Sequence, residues 1–137
     1  MASIYTPSTG FYDSLTRFNI TTSYQDLMWL LPSLLLGVDK KGTIKYVNRL
    51  WSVKLGYQPT EMLGKNFIEF VVEGNKTQEE FENVKESHEY DNLFINQYRC
   101  KDGSIVEIEW SSFHIPSTLL TWGLGAIRTK IKERTNE

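Results

Sequence analysis

Apolar positions change period along the chain, and each change marks an element. Tyr24, Leu27, Met28 and Leu31 recur at i, i+3, i+4 and i+7, one face of a helix that Pro32 stops. Leu34 to Asp39 and Thr43 to Val47 are two apolar runs around Lys40-Lys41-Gly42, the pattern of a β-hairpin. Asn48 follows, and its side chain can accept from a free N–H of the next helix, so it reads as an N-cap. That helix spans about Arg49 to Leu55 and ends at Gly56. Pro59 opens a further short helix ending at Gly64. Thr77-Gln78-Glu79-Glu80 has capping-box spacing and opens a helix to about His88, with Phe81 and Val84 on its inner side.

The final third runs at period two. Phe94, Asn96 and Tyr98 share one side of a strand. Lys101-Asp102-Gly103 then predicts a tight turn, with Asp102 and Gly103 both at positive φ as in a two-residue hairpin loop. Val106, Ile108, Trp110 and Ser112 alternate with Glu107, Glu109 and Ser111, so one face is buried and the other meets water. After Pro116, Leu120, Trp122, Leu124 and Ala126 mark another strand, and Lys130 to Arg134 read as a charged exit that starts a helix. Five antiparallel strands with helices gathered on one face make an α+β fold. Residues 1–21, rich in Ser, Thr, Tyr and Gly, read as a flexible leader. Residues 22–128 form the domain, with 22–31 as its flanking helix, and 129–137 begin a C-terminal helix or linker.

Composition narrows the function. The 137 residues are 40% hydrophobic, enough for one domain with a core that needs no metal or disulfide. A net charge of −2 gives no basic face for nucleic acid. One cysteine, Cys100, allows neither an internal disulfide nor a cysteine cluster, and reads as a packed thiol. The N-terminus lacks the pattern of a signal peptide, and Leu27 to Val38 is too short and broken to span a bilayer. A cytoplasmic protein with no membrane insertion is expected, and Asn19 and Asn75 in glycosylation-type triplets are read as chance. Catalysis finds no inventory. Ser111, Ser112 and His114 lack a placed acid, Glu107 and Glu109 face water, and there is no phosphate-binding glycine loop.

Four short motifs in order then resemble a PAS domain: Leu35-Leu36-Gly37-Val38-Asp39 with Gly42-Thr43-Ile44-Lys45-Tyr46-Val47-Asn48; Leu55-Gly56-Tyr57; Glu61-Met62-Leu63-Gly64-Lys65; and Tyr98-Arg99-Cys100-Lys101-Asp102-Gly103-Ser104. The resemblance runs from Leu31 to about Arg128. It implies a five-stranded antiparallel sheet whose concave face and helices enclose a small cavity. It also implies sensing or partner binding, with an attached kinase, cyclase or transcription regulator. PAS domains that drive an effector often end in Asp-Ile-Thr, whereas this chain has Ala126-Ile127-Arg128-Thr129, so that relay is not carried over.

Cofactor readings follow from the same resemblance. Blue-light PAS domains carry Gly-x-Asn-Cys-Arg-Phe; here Gly64-Lys65-Asn66-Phe67-Ile68-Glu69 puts Phe67 in place of the cysteine, which excludes a covalent flavin adduct. Haem is disfavoured: His88 is too near Lys101 for that subfamily's ligand and reads as a solvated residue at a helix C-terminus, and His114 reads as an edge residue. The candidate cavity comprises Phe67, Phe70, Phe81, Phe94, Asn96, Tyr98, Ile108, Trp110, Ser112, Trp122 and Leu124. Such a lining suits a small, largely apolar or aromatic organic ligand, unless the side chains fill the space themselves. Tyr24, Leu27, Met28 and Leu31 are the candidate dimer interface, with packing on the domain's own sheet as the alternative. A non-catalytic sensor module is expected, the alternative being a ligand-free module for homodimerisation or docking.

Overall fold

The computed structural model describes residues 20–86 and 92–131. The elements are α1 (Ile20–Leu30), β1 (Leu34–Val38), β2 (Ile44–Val47), a π-helical turn (Trp51–Leu55), α2 (Pro59–Met62), a 3-10 turn (Phe67–Phe70), α3 (Gly74–Glu86), β3 (Asn92–Arg99), β4 (Ile105–Ile115), a 3-10 turn (Pro116–Thr118) and β5 (Leu120–Ile131). The strands form one antiparallel sheet in the order β2-β1-β5-β4-β3. This is the architecture the alternation predicts. Leu34, Leu36 and Val38 from β1, Tyr98 from β3 and Val106, Ile108 and Trp110 from β4 meet Trp51, Leu55, Met62, Phe67, Phe70 and Phe81 in one core.

The two glycine turns share one construction. Asp39 and Thr43 close the first (Asp39 N–H to Thr43 C=O, 2.9 Å), and Cys100 and Ser104 close the second (2.7 Å). Each loop has three residues and ends in a left-handed glycine, Gly42 at φ 86° and Gly103 at φ 90°. This corrects the two-residue turn expected at Asp102-Gly103. Asp102 keeps negative φ, because its carboxylate accepts from the Ser104 N–H (2.9 Å) and hydroxyl (2.6 Å) and so holds the loop from within. Asp39 does the same for the first turn, accepting from the N–H groups of Lys41 and Thr43, both at 2.9 Å.

Asp39 therefore carries a pH prediction. Burial pushes its carboxyl up, but the Thr43 and Lys41 amides and the Lys45 and Lys41 charges outweigh that, so its pKa lies below the ordinary value. A depressed carboxyl contributes stability that is full above its unfolded pKa, about 3.9, and is lost as pH falls through the folded value. Titration of the Asp39 carboxyl by NMR gives a midpoint below 3.9 or so; one at or above it contradicts this assignment.

Three local expectations are revised. Asn48 does not cap the following helix. It is 1% exposed, its Oδ1 accepts from the Leu35 N–H (3.0 Å), and its Nδ2 donates to the Ser33 carbonyl (2.9 Å), which ties the entry of β1 to the end of β2. The turn that follows is π-helical, and the Gly56 N–H reaches back five residues to the Trp51 carbonyl (3.0 Å). Thr77 is no cap either: α3 already starts at Gly74, where a side chain would meet Ile68. Beyond Arg128 the strand continues; Thr129, Lys130 and Ile131 pair with Glu107, Val106 and Ile105, so a helix does not start at Lys130. Residues 132–137, the leader segment 1–19 and His88 lie outside the described residues.

A candidate ligand cavity with a polar relay

The residues that alternate inward on β3 and β4 converge with the helices on one cavity. Phe67, Phe81, Phe94, Asn96, Tyr98, Trp110 and Ser112 line it, joined by Leu36, Val38, Thr121 and Gly123. Its volume is about 40 Å³, room for two or three waters at roughly 15 Å³ each and far below the ~300 Å³ that encloses a drug-sized ligand. Aromatic rings take most of the space. Trp51 stacks on Trp110 at 6.0 Å, Tyr98 meets both at 5.4 and 5.8 Å, and Phe67 meets Phe81 edge-on at 5.2 Å. Burial pushes the Tyr98 phenol far above its ordinary pKa, so it stays neutral.

A hydrogen-bonded line crosses this apolar setting. Trp110 Nε1–H donates to Asn96 Oδ1 (2.8 Å), and Asn96 Nδ2 donates to the hydroxyl of buried Thr77 (3.2 Å). Each link lies on a different element, β4, β3 and α3. The two bonds thus tie β4 to β3 and β3 to α3 beside the cavity. On the same helix Glu80 Oε1 is buried and has no partner among the described residues, and burial pushes the carboxyl up. His114 Nδ1 lies 3.1 Å from Thr121 Oγ1 at the sheet's end.

Three candidate residues, Phe70, Ile108 and Leu124, are placed otherwise. Phe70 is buried against Tyr57, with ring centroids 5.0 Å apart, and does not line the cavity. Ile108 is buried in the core below it. Leu124 is 36% exposed, and Trp122 lines the cavity although its ring packs against Gly37 and Tyr46. The inward side of β5 is Thr121, Gly123 and Gly125. A Cβ at either glycine would sit 2.9 Å from the Trp110 ring, so Trp110 occupies the space that Trp122 and Leu124 were expected to fill. The alternation Trp122-Gly123-Leu124-Gly125 carries this signal: small residues opposite a large ring mark the packed face.

The helix residues are also placed. Tyr24 and Leu27 are 62% and 61% exposed, Met28 and Leu31 half-buried, and Trp29 and Leu30 exposed beside them. Among the described residues no group of three metal-ligating side chains comes together, and no helix is long and apolar enough to cross a membrane.

The fold agrees with solved structures. The PAS domain of an HTR-like protein from Haloarcula marismortui superposes with a TM-score of 0.67 at 21% identity, over 88% of this chain and 100% of that one. A domain of the sensory box sensor histidine kinase/response regulator from Geobacter sulfurreducens gives 0.66 at 15%, over 77% and 92%. Drosophila melanogaster Cycle PAS-B with bound ethylene glycol gives 0.57 at 20%, over 69% and 99%. No curated protein sequence matches significantly. The family model described as PAS fold matches residues 22–112, which hold the first hairpin, the helical crossing and the cavity-lining stretches of β3 and β4. With that match over more than half its length, the chain belongs to the PAS family.

Proposed function

We propose that this domain is a non-catalytic signalling sensor that admits a small uncharged ligand of a few heavy atoms. Binding is passed from the cavity to α3 and from there to an attached effector, a kinase, cyclase or transcription regulator. The observation that carries this reading is the line Trp110–Asn96–Thr77, which starts in a largely apolar and aromatic wall that also holds the hydroxyl residues Ser112 and Thr121. The buried indole N–H of Trp110 needs an acceptor, and Asn96 supplies it from the cavity wall, where a ligand can compete for it. The cavity's size favours something near ethylene glycol, the molecule bound in the Cycle neighbour, over a flavin or haem. The sensor kinase source of the Geobacter neighbour supports the signalling role. Native mass spectrometry of the purified protein, with an absorption spectrum, tests this. A released small organic molecule and no visible chromophore are expected; a bound flavin or haem would overturn the reading.

The exposed Tyr24 and Leu27 favour a second reading, in which α1 pairs with a second copy in a homodimer. Leu27→Glu is then expected to convert dimer to monomer in sedimentation, and a monomeric parent would remove this reading.

A further inference from the structure

The central strand outruns its neighbour. β1 begins pairing at Leu34 with Gly125, so from Ala126 to Ile131 the strand β5 is paired with β4 alone among the described residues. Six residues at about 3.4 Å each leave roughly 20 Å of edge with its alternate N–H and C=O groups unmatched. Among the described residues ahead of β1 none pairs with that edge: α1 ends at Leu30, and Pro32, which lines the cleft beside Ala126 and Ile127, has no N–H to give. The outer edge of β3, by contrast, is already engaged: Val71 bridges Tyr98, and the Val72 N–H donates to the Gln97 carbonyl at 2.8 Å.

Two clefts flank the β5 edge. One, of about 540 Å³, is lined by the apolar Pro32, Leu50, Val53 and Ile127 together with Lys54 and Lys130; the other, of about 370 Å³, leads to the Lys101-Asp102 turn. They share Val53, Lys54 and Lys130. Nearby charges are spoken for: Lys101 pairs with Glu61, Arg128 approaches Glu109 at 4.0 Å, and the Asp102 carboxylate is held by Ser104. Lys54 and Lys130 form no salt bridge among the described residues, although the nearby Asp102 carboxyl is held below its ordinary pKa by the Ser104 hydrogen bonds and in smaller part by the Lys130 charge.

We infer that this edge takes an extended partner peptide as an added strand, with acidic and apolar residues taking turns along the one face that meets the cleft. The unmatched backbone supplies the ladder, Pro32, Leu50, Val53 and Ile127 the apolar part of the 540 Å³ cleft, and Lys54 with Lys130 in the same cleft the charge that selects an acidic strand. A second copy fits less well, since edge-to-edge pairing sets Arg128 and Lys130 against their counterparts.

A fluorescein-labelled, amide-capped hexapeptide, Val-Thr-Glu-Thr-Val-Thr, which sets Val and Glu on one face, is the probe, followed by anisotropy and by ¹⁵N NMR. Saturable binding is expected, with shifts at residues 126–131 and at Val53 and Lys54. Affinity falls about tenfold or more for the same peptide N-methylated at alternate amides, for its counterpart with Lys in place of Glu, and for the double variant Lys54→Glu/Lys130→Glu. Both substitutions are at exposed positions, and an unchanged melting temperature shows that the variant folds. No saturation up to about 1 mM, equal binding of the N-methylated peptide, shifts confined to other strands, or a peptide-free dimer that shields this edge would each overturn the proposal.

Discussion

Trp110→Ala is expected to lower the unfolding free energy by about 3–5 kcal/mol, the usual range for deleting a large buried aromatic. The side chain is 2% exposed and packs on Trp51 and Tyr98. The floor beneath it is Gly123 and Gly125, which carry no atoms that could move up into the space. The cavity therefore persists in the variant instead of collapsing, which places the loss in the upper part of that range. Asn96 Oδ1 also loses its donor. Urea denaturation measures the change, and added indole is expected to raise the melting temperature of the variant but not of the parent. A loss below about 1.5 kcal/mol would mean that the glycine floor does relax.

Asn48→Ala is expected to cost about 2–4 kcal/mol, because it strands two backbone groups at once: the Leu35 N–H and the Ser33 carbonyl, each worth roughly 1–3 kcal/mol when left unpaired in the interior. Asn48→Asp separates the two bonds. The aspartate still accepts from Leu35, but its charged form faces the Ser33 carbonyl, so its folded pKa is raised. Such a variant is closest to the parent in acid, where the protonated acid can donate, and loses stability as pH rises through that pKa. A pH-independent Asn48→Asp, or an alanine variant within about 0.5 kcal/mol of the parent, would contradict the clasp.

What the sequence conveyed depended on how far each signal reached. The hairpins, the five-strand sheet and the inward parity of Val106, Ile108, Trp110 and Ser112 rest on local alternation, and the structure buries all four. The role of Asn48 depends on partners 13 and 15 residues away, for which no local spacing exists, so the capping reading won by default. The parity of β5 failed because Pro116 to Leu119 sets no register the way a glycine turn does, and because bulk was equated with burial. Asn66 shows the opposite case. It caps the Phe67–Phe70 turn, accepting from the Ile68 N–H at 3.0 Å while Glu69 returns to its own N–H. The Asn66-x-x-Glu69 spacing is a local capping-box signal that the sequence carries in full, overlaid on the Gly64-x-Asn66 stretch that resembles a flavin motif.

Coupling between the cavity and α3 is the centre of this account, and ¹⁵N NMR during an ethylene glycol titration tests it most directly. The Trp110 indole N–H, the Asn96 side-chain amide and the Thr77 backbone amide are predicted to shift together along one saturable curve, and Asn96→Leu is predicted to abolish the shift at Thr77 while the indole still responds. Resonances that stay still, or a Thr77 response that survives Asn96→Leu unchanged, would contradict it.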